Sequence, residues 1–384
     1  MVSAVRRGAS ISGVAETFRA SRSTVRLWVR RAAGKRLDRV DWSDRPSGRR
    51  LPLNRTSMEM EDRVLSLRTE LRETSDLGEY GAEAIHRELL AQGVEPVPSV
   101  RTIGRILERR GVVDGRKRQR YPAPPRGWYL PDLAQARAEL DQVDIVEGLV
   151  IQGGPEVLVL NAISLHGGLA ASWPMTRITA KKVVEALISH WRDVGCPAYA
   201  QFDNDTRFQG PHQHPDTVGR VSRLCLSLGV VPVFAPPREP GFQGAIESLN
   251  GRWQAKVWSR FHHDSLAQLR GRSARYTAAS RARCAGRIEA APDRQPVPKA
   301  WELDLQTPLR GHIIYLRRTT EDGTAEVMGH RFSVAEAWPH RLVRAEVALD
   351  TDTISFYALR RREPDVHRLL KTIEHHVPRT RFQE

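Results

Sequence analysis

Between residues 142 and 174 three β-type runs follow one another almost without pause: "QVDIVEGLVI", "EVLVLNAISL" and "GLAASWP", parted by "QGGP" and "HGG". Glycine-rich connectors this short admit hairpins and little else, so the runs form an antiparallel meander. The period then changes. "TAKKVVEALISHWRDVG" reads as a helix capped by Thr179 and stopped at Gly195. "PAYAQF" is a strand, "DTVGRVSRLCLSLG" a helix, "VVPVFA" a strand and "GFQGAIESLNGRWQAKVWSRF" a long helix. The order β-β-β-α-β-α-β-α, a meander followed by crossovers, fixes a small set of sheets into which residues 139–260 can fold.

The flanks differ from this core in kind. Residues 1–34 predict two short helices with a tight break at "RAS", the second capped by Ser23-Thr24 and carrying Val25, Leu27, Trp28 and Val29. That is a helix-turn-helix, whose second helix reads the major groove. Residues 35–56, polar and broken by Pro and Gly, read as a linker. Residues 57–113 repeat the theme, with "GAEAIHRELLAQGV" followed by the capped basic helix "PSVRTIGRILERRGV". Residues 114–138 read as a basic Pro-rich linker able to track a phosphate backbone, and 261–308 as a helical Arg-rich connector. Residues 309–360 read as a small all-β barrel of about five strands, and 361–384 as a poorly ordered basic tail.

Charge narrows the partners. The 384 residues carry 60 Lys+Arg against 45 Asp+Glu, a net +15, which favours a polyanion: nucleic acid or an anionic membrane surface. No apolar run reaches the 18 residues of a membrane span, and "MVSAVRRGASISGVAETF" lacks a signal-peptide core. Cys196, Cys225 and Cys284 are scattered, which fits a reducing cytoplasm rather than a disulfide framework or a cysteine zinc site. Double-stranded DNA is therefore the expected partner. Arg22, Arg26, Arg30 and Arg31 would reach it from the first unit, and Arg101 and Arg105 from the second. Yet residues 141–250 sum to −3 while residues 1–50 sum to +9. A protein that merely coats DNA has no use for an acidic island; a nuclease that holds cations against phosphate has.

Three acids stand out in that island. Asp144 interrupts an apolar strand, opposite in face to Val143 and Ile145, where an unpaired carboxylate is costly. Asp203 ends "PAYAQF" at the strand's C-terminal edge, where α/β folds place ligands. Glu247 lies on the polar face of the last helix with Gly244, Asn250, Gly251 and Gln254, opposite the stripe Phe242, Ile246, Leu249, Trp253 and Val257. Hard divalent cations take such oxygen donors, and a pair of them about 4 Å apart can activate an attacking hydroxyl and stabilise a leaving oxygen. Asp205 demands a counter-charge too, either a metal or a nearby Arg, and reads as a turn cap. Asp141 is the alternative to Asp144. Glu147, His212 and His214 read as solvated, and Trp253 and Trp258 as packing.

With these motifs the chain resembles the DDE transposases and retroviral-type integrases, in particular insertion-sequence transposases with N-terminal helix-turn-helix units. The resemblance runs over most of the chain, through "SRSTVRLW", "DRPSGRR…LNRT", "VDIVEGLVI", "FDNDTRFQG", "PGFQGAIESLNGRWQAKVW" and the terminal strands. It implies a multidomain protein: all-α helix-turn-helix units, a ribonuclease-H-like α/β core, then the barrel. It maps the catalytic acids onto Asp144, Asp203 and Glu247, holding two Mg²⁺ or Mn²⁺. It implies 3′-end cutting at an element's terminus and attack of that 3′-hydroxyl on target DNA by a homo-oligomer, at least a dimer. Three departures stand out. Asp203-Asn204-Asp205 replaces the usual Asp-Asn-Gly, and 44 positions part Asp203 from Glu247, with "PHQHPDT" as the excess loop. Gln254 stands where Lys or Arg is common, leaving Arg252 or Lys256 to contact DNA. The alternatives are a DNA-binding regulator with a dead core and another nuclease of the same fold.

Overall fold

The computed structural model describes residues 1–43, 56–113, 126–211, 214–239, 241–361, 363, 366–378 and 382. The chain divides into two compact units, 1–61 and 62–384.

In the first unit, α1 (Val2–Arg6), α2 (Ile11–Thr17) and α3 (Arg22–Ala32) bury two small clusters, Val14–Ala15–Val25 and Val2–Ala32–Val40. α1 has no counterpart in the sequence reading. The cap of α3 is Ser21, whose Oγ accepts from Thr24 N at 3.0 Å, not Ser23-Thr24. Nor is the segment after α3 a loose linker as far as residue 43. It makes a 3₁₀ turn at Leu37–Arg39, buries Val40 and sets Trp42 5.6 Å from Trp28. The rest of that linker, 44–55, lies outside the described residues.

The second unit begins with α4 (Met58–Thr74), α5 (Ala82–Ala91) and α6 (Val100–Arg109). Ile85, Leu89, Ile103, Ile106 and Leu107 are buried, and Ser99 caps α6 through Thr102 N. Of the Pro-rich stretch, 114–125 lies outside the described residues. The remainder does not track outward: Trp128, Tyr129, Leu130 and Leu133 are buried with Phe242 and Leu140, around the short α7 (Pro131–Ala134). Aromatic area outweighed the basic flanks that suggested a linker.

β1 (Leu140–Val150), β2 (Glu156–Ser164), β3 (Ala170–Met175), α8 (Ala180–Val194), β4 (Tyr199–Phe202), α9 (Thr206–Gln209), α10 (Arg220–Ser227), β5 (Val231–Phe234) and α11 (Gly244–Trp253) follow. β1–β2 and β2–β3 pair antiparallel, β1–β4 and β4–β5 parallel. This is the expected ribonuclease-H-like arrangement, with α9 added. Thr179 caps α8 and Gly195, at φ 80°, ends it. The long final helix is not uniform: after α11 the residues Gln254–Trp258 form a π turn.

The terminal strands differ from the expected barrel. After α12 (Leu266–Arg283) and α13 (Ala285–Glu289) come β6 (His312–Arg318), β7 (Thr324–Val327), β8 (His330–Ser333), β9 (Leu342–Ala348), β10 (Thr353–Ala358) and β11 (Leu369–Glu374). β6 pairs parallel with β5, and the result is one nine-stranded sheet, β11-β10-β9-β6-β5-β4-β1-β2-β3, with β7–β8 a separate hairpin. Phe234 and Tyr315 stack across the junction at 5.1 Å. Their apolar faces form one continuous core, so a separate closed barrel has nothing to gain. β11 lies in the segment read as a disordered tail. The Arg-rich connector is likewise structural. Arg270 donates to Pro174 O at 2.9 Å and Arg281 to Ala170 O at 2.8 Å, covering carbonyls of the edge strand β3.

β1 sorts its acids by parity. Asp141, Val143 and Ile145 face the α8 side, where Val143 is core. Gln142, Asp144 and Val146 face α11. Asp141 is buried and bound by Arg294 at 2.9 and 2.7 Å and by Trp191 Nε1 at 2.9 Å. Burial alone would raise its pKa, but Arg294 holds it below the ordinary carboxylate value. It is a structural ion pair on the wrong face for the site. Its contribution is complete above the ordinary carboxylate pKa and fades as pH falls toward the depressed one. Arg294→Ala strands the charge and should cost about 3–5 kcal/mol, read from urea unfolding at neutral pH. A loss below about 1 kcal/mol would mean that water reaches Asp141.

Candidate active site

Asp144 is half-buried on β1. Its Oδ1 accepts from Ile145 N and its Oδ2 from Asn250 Nδ2, both at 2.8 Å. One donor per oxygen leaves each a free lone pair. Asp203 follows β4 and accepts from Asp205 N at 3.0 Å. Glu247 is exposed in the first turn of α11. The fold sets Asp144 within electrostatic reach of both Asp203 and Glu247. Burial pushes the Asp144 carboxyl up to about 6, and the charges of Asp203 and Glu247 add to that rise, against the Ile145 and Asn250 hydrogen bonds. Asp203 is raised as well, first by burial, then by the charges of Asp205 and Glu147.

The neighbouring acids are accounted for by Arg207. It donates to both oxygens of Asp205, at 2.8 and 2.6 Å, and to Glu147 at 2.7 Å. Asp205 also caps α9 through Arg207 N. Of the pair in "FDNDTRFQG", Asp205 takes two hydrogen bonds from the arginine, and Asp203 feels Arg207 only through its charge. Glu147, read as solvated, sits at the bulge of β1 and takes part in this pairing.

Polar residues that sequence reasoning passed over hold the arrangement. Gln142, buried two positions before Asp144, accepts at Oε1 from Ala245 N (3.1 Å) and Ile246 N (3.0 Å). It thereby caps α11, whose own N-cap residue Gln243 makes no side-chain cap. Its Nε2 donates to Phe242 O and to Gln201 Oε1, which also receives the Tyr129 hydroxyl. Asn161, opposite Asp144 in the β1–β2 register, donates to Asn250 Oδ1 at 2.8 Å. The hairpin register and the shared parity of Gln142 and Asp144 were the available signals. Asn250 was placed on the right helix face, but not as a partner of Asp144.

The residues expected to bind DNA fall into two groups. Arg22, Arg26 and Arg30 on α3 are exposed one turn apart, as are Arg101 and Arg105 on α6. Arg31 instead stacks on Trp28 at 4.7 Å and donates to Ser43 O. Arg252 is exposed beside a cleft of about 350 Å³ shared with Arg126, Trp128, Phe242 and Arg287. Lys256 is turned elsewhere: its Nζ donates to Gly78 O at 3.0 Å and lies 5.4 Å from the Tyr80 ring centre. The π turn aims it, with Arg260, at the chain after α4. His212 lies outside the described residues, and His214 is exposed.

The donors suit hard cations: all are oxygens, and the raised proton affinity of Asp144 and Asp203 is what a cation would relieve. Among the described residues, three metal-binding atoms all within 4.8 Å of one another occur at Asp216, His330 and His375 and not at these acids. A Cβ added at Gly244 or Gly251 would meet nothing within 4 Å, so the helix face around Glu247 is open.

No protein-family model matches the chain, and no curated protein sequence does. Solved structures similar to it include the BIV integrase catalytic core, at 18% identity, covering 37% of this chain and 80% of that one, TM-score 0.26. A simian T-cell lymphotropic virus intasome with the PP2A regulatory subunit B56 gamma gives 14%, 73%, 93% and 0.33. The HTLV-2 integrase catalytic core with magnesium, in its dimeric form, gives 13%, 40%, 86% and 0.27. Likenesses this loose decide nothing about chemistry.

Because Asp144 is raised, its ionisation opposes folding: stability it lends below the ordinary 3.8 is lost as pH rises through about 6. Without divalent ions, Asp144→Asn should therefore be more stable than wild type at pH 7, by about 1–3 kcal/mol. The gain should vanish below pH 4 or so, followed by urea unfolding across pH.

Proposed function

We propose that the chain is a DNA transposase or integrase that cuts at the ends of an element and transfers the freed 3′ ends to target DNA. What most supports this reading is that Asp144 on β1 is bonded by Asn250 of α11 and feels the charges of Asp203, just after β4, and of Glu247 on α11. In it Asp144 and Asp203 bind cations from the sheet, and Glu247 completes the second position from the helix. Bound Mg²⁺ or Mn²⁺ would activate the attacking hydroxyl and stabilise the leaving oxygen. Asn250 orients Asp144, and Gln142 fixes the depth of α11. Arg252, with Arg126 and Arg287, offers positive charge to the phosphate backbone beside Glu247. The exposed arginines of α3 and α6 bind the terminal repeats, phosphate contacts setting register and base contacts sequence. Joining two ends requires at least two copies.

The test is strand transfer of labelled duplex ends with Mg²⁺ or Mn²⁺. Asp203→Asn and Glu247→Gln should each lose about three orders of magnitude, since several kcal/mol of charge stabilisation goes with the ions. Asn250→Ala should lose about 10–100-fold, as orienting partners of ligands do. Metal-independent or wild-type activity in Asp203→Asn would remove the reading, and DNA binding without any cutting would favour a regulator. A panel of hybrid, junction and duplex substrates separates a general nuclease.

For the helical units, Arg26→Ala and Arg105→Ala should each reduce the salt dependence of end binding by about one ion. Unchanged slopes in fluorescence anisotropy at several salt concentrations would exclude those faces.

A further inference from the structure

The tightest cluster of metal-type donors lies apart from the three acids. Asp216, in the chain between α9 and α10, receives His330 Nε2 on Oδ2 at 2.8 Å and His375 Nε2 on Oδ1 at 2.7 Å. His330 opens β8 and His375 follows β11, so three distant segments meet here. All three ligand atoms lie within 4.8 Å of one another. The rings are 5.1 Å apart and packed by Phe332. The backbone converges too. Asp216 holds φ 59°, a left-handed conformation rare outside glycine, while Asp216 N donates to Met328 O at 2.9 Å and His375 N to Asp352 O at 2.8 Å. Gly329 approaches Pro215 so closely that a Cβ there would stand 3.1 Å from Pro215 Cα.

We propose that Asp216, His330 and His375 bind one transition-metal cation of the Zn²⁺ class, which clamps the hairpin β7–β8 and strand β11 to the core loop. Two imidazoles and a carboxylate are borderline-soft donors, unlike the all-oxygen set of Asp144, Asp203 and Glu247, so the two sites sort different metals. Tetrahedral ligands about 2.0–2.2 Å from Zn²⁺ stand about 3.3–3.6 Å apart, inside the 4.8 Å that bounds this trio, and the Nε2–O pairs at 2.8 and 2.7 Å need open by less than about 1 Å to admit the ion. On binding, each ring exchanges its Nε2–H···O bond for a metal bond and carries its proton on Nδ1, with no net change in charge. Water supplies the fourth ligand.

The full chain, stripped with EDTA and dialysed against Zn²⁺ in excess Mg²⁺, should retain one Zn²⁺. Co²⁺ in its place should give the visible spectrum of a four-coordinate site. Asp203→Asn should keep both properties, which separates this site from the three acids. His330→Gln and His375→Gln put an amide nitrogen where Nε2 stands and can still donate to Asp216, so each preserves the hydrogen-bonded latch. Each should weaken Zn²⁺ binding at least about tenfold and change the Co²⁺ spectrum. Retention of the wild-type spectrum and affinity in both variants, or no retained Zn²⁺ in the wild type, would overturn the proposal. Melting curves of the metal-free variants, expected to match metal-free wild type, show that lost binding is not lost fold.

Discussion

The period of two along β1 is the constraint on which the rest depends. It sends Asp141 into the α8 side, against Arg294 and Trp191, and Gln142 and Asp144 toward α11. A slip of one residue would exchange the two faces, carrying Asp141 away from Arg294 and Trp191 and turning Asp144 away from Asn250 into the apolar α8 side. The register Asp144↔Asn161 and the capping of α11 by Gln142 both follow from that same parity. A single strand thus fixes the position of one acid and the helix that carries another.

The 60 Lys and Arg residues have less to do with DNA than their number suggests. Arg207 neutralises Asp205 and Glu147, Arg294 neutralises Asp141, and Arg270 and Arg281 cover carbonyls of β3. Arg260 donates to Arg72 O, Glu73 O and Ser75 O at the end of α4, where a cation opposes the helix dipole. What remains exposed in regular rows is on α3 and α6, the helices with Ser caps and apolar undersides. Net charge pointed to the class of partner; burial decides which cations can meet it.

The core order, and the elements on or beside which the three candidate acids stand, were legible because each rests on a local signal: short glycine-rich connectors, a carboxylate in an apolar run, a polar face on a helix. The fate of the terminal strands was not. "GHIIYLRR" reads as a strand in either a barrel or a sheet, and only the pairing of Ile314 with Val233 decides between them. Trp128 and Tyr129 were hidden by their basic, Pro-rich surroundings. Lys256 was misjudged because a π turn rotates every residue after Gln254 relative to a regular helix.

The junction of β5 with β6 makes the terminal strands part of the site's support. Arg317 on β6 is buried, and burial pulls its pKa down to about 10. It stays bound by donating to Asn204 Oδ1 at 3.0 Å, Ala235 O at 3.3 Å, Leu316 O and Glu326 O at 2.9 Å. Asn204 in turn donates to Ala235 O at 2.7 Å. The residue after Asp203 is therefore gripped from the sheet extension by Arg317, and the next one, Asp205, is held by Arg207. A closed, separable barrel could not supply that grip. Its strands would have to leave β5, exposing a parallel edge and taking Arg317 away from Asn204 and Ala235 beside Asp203.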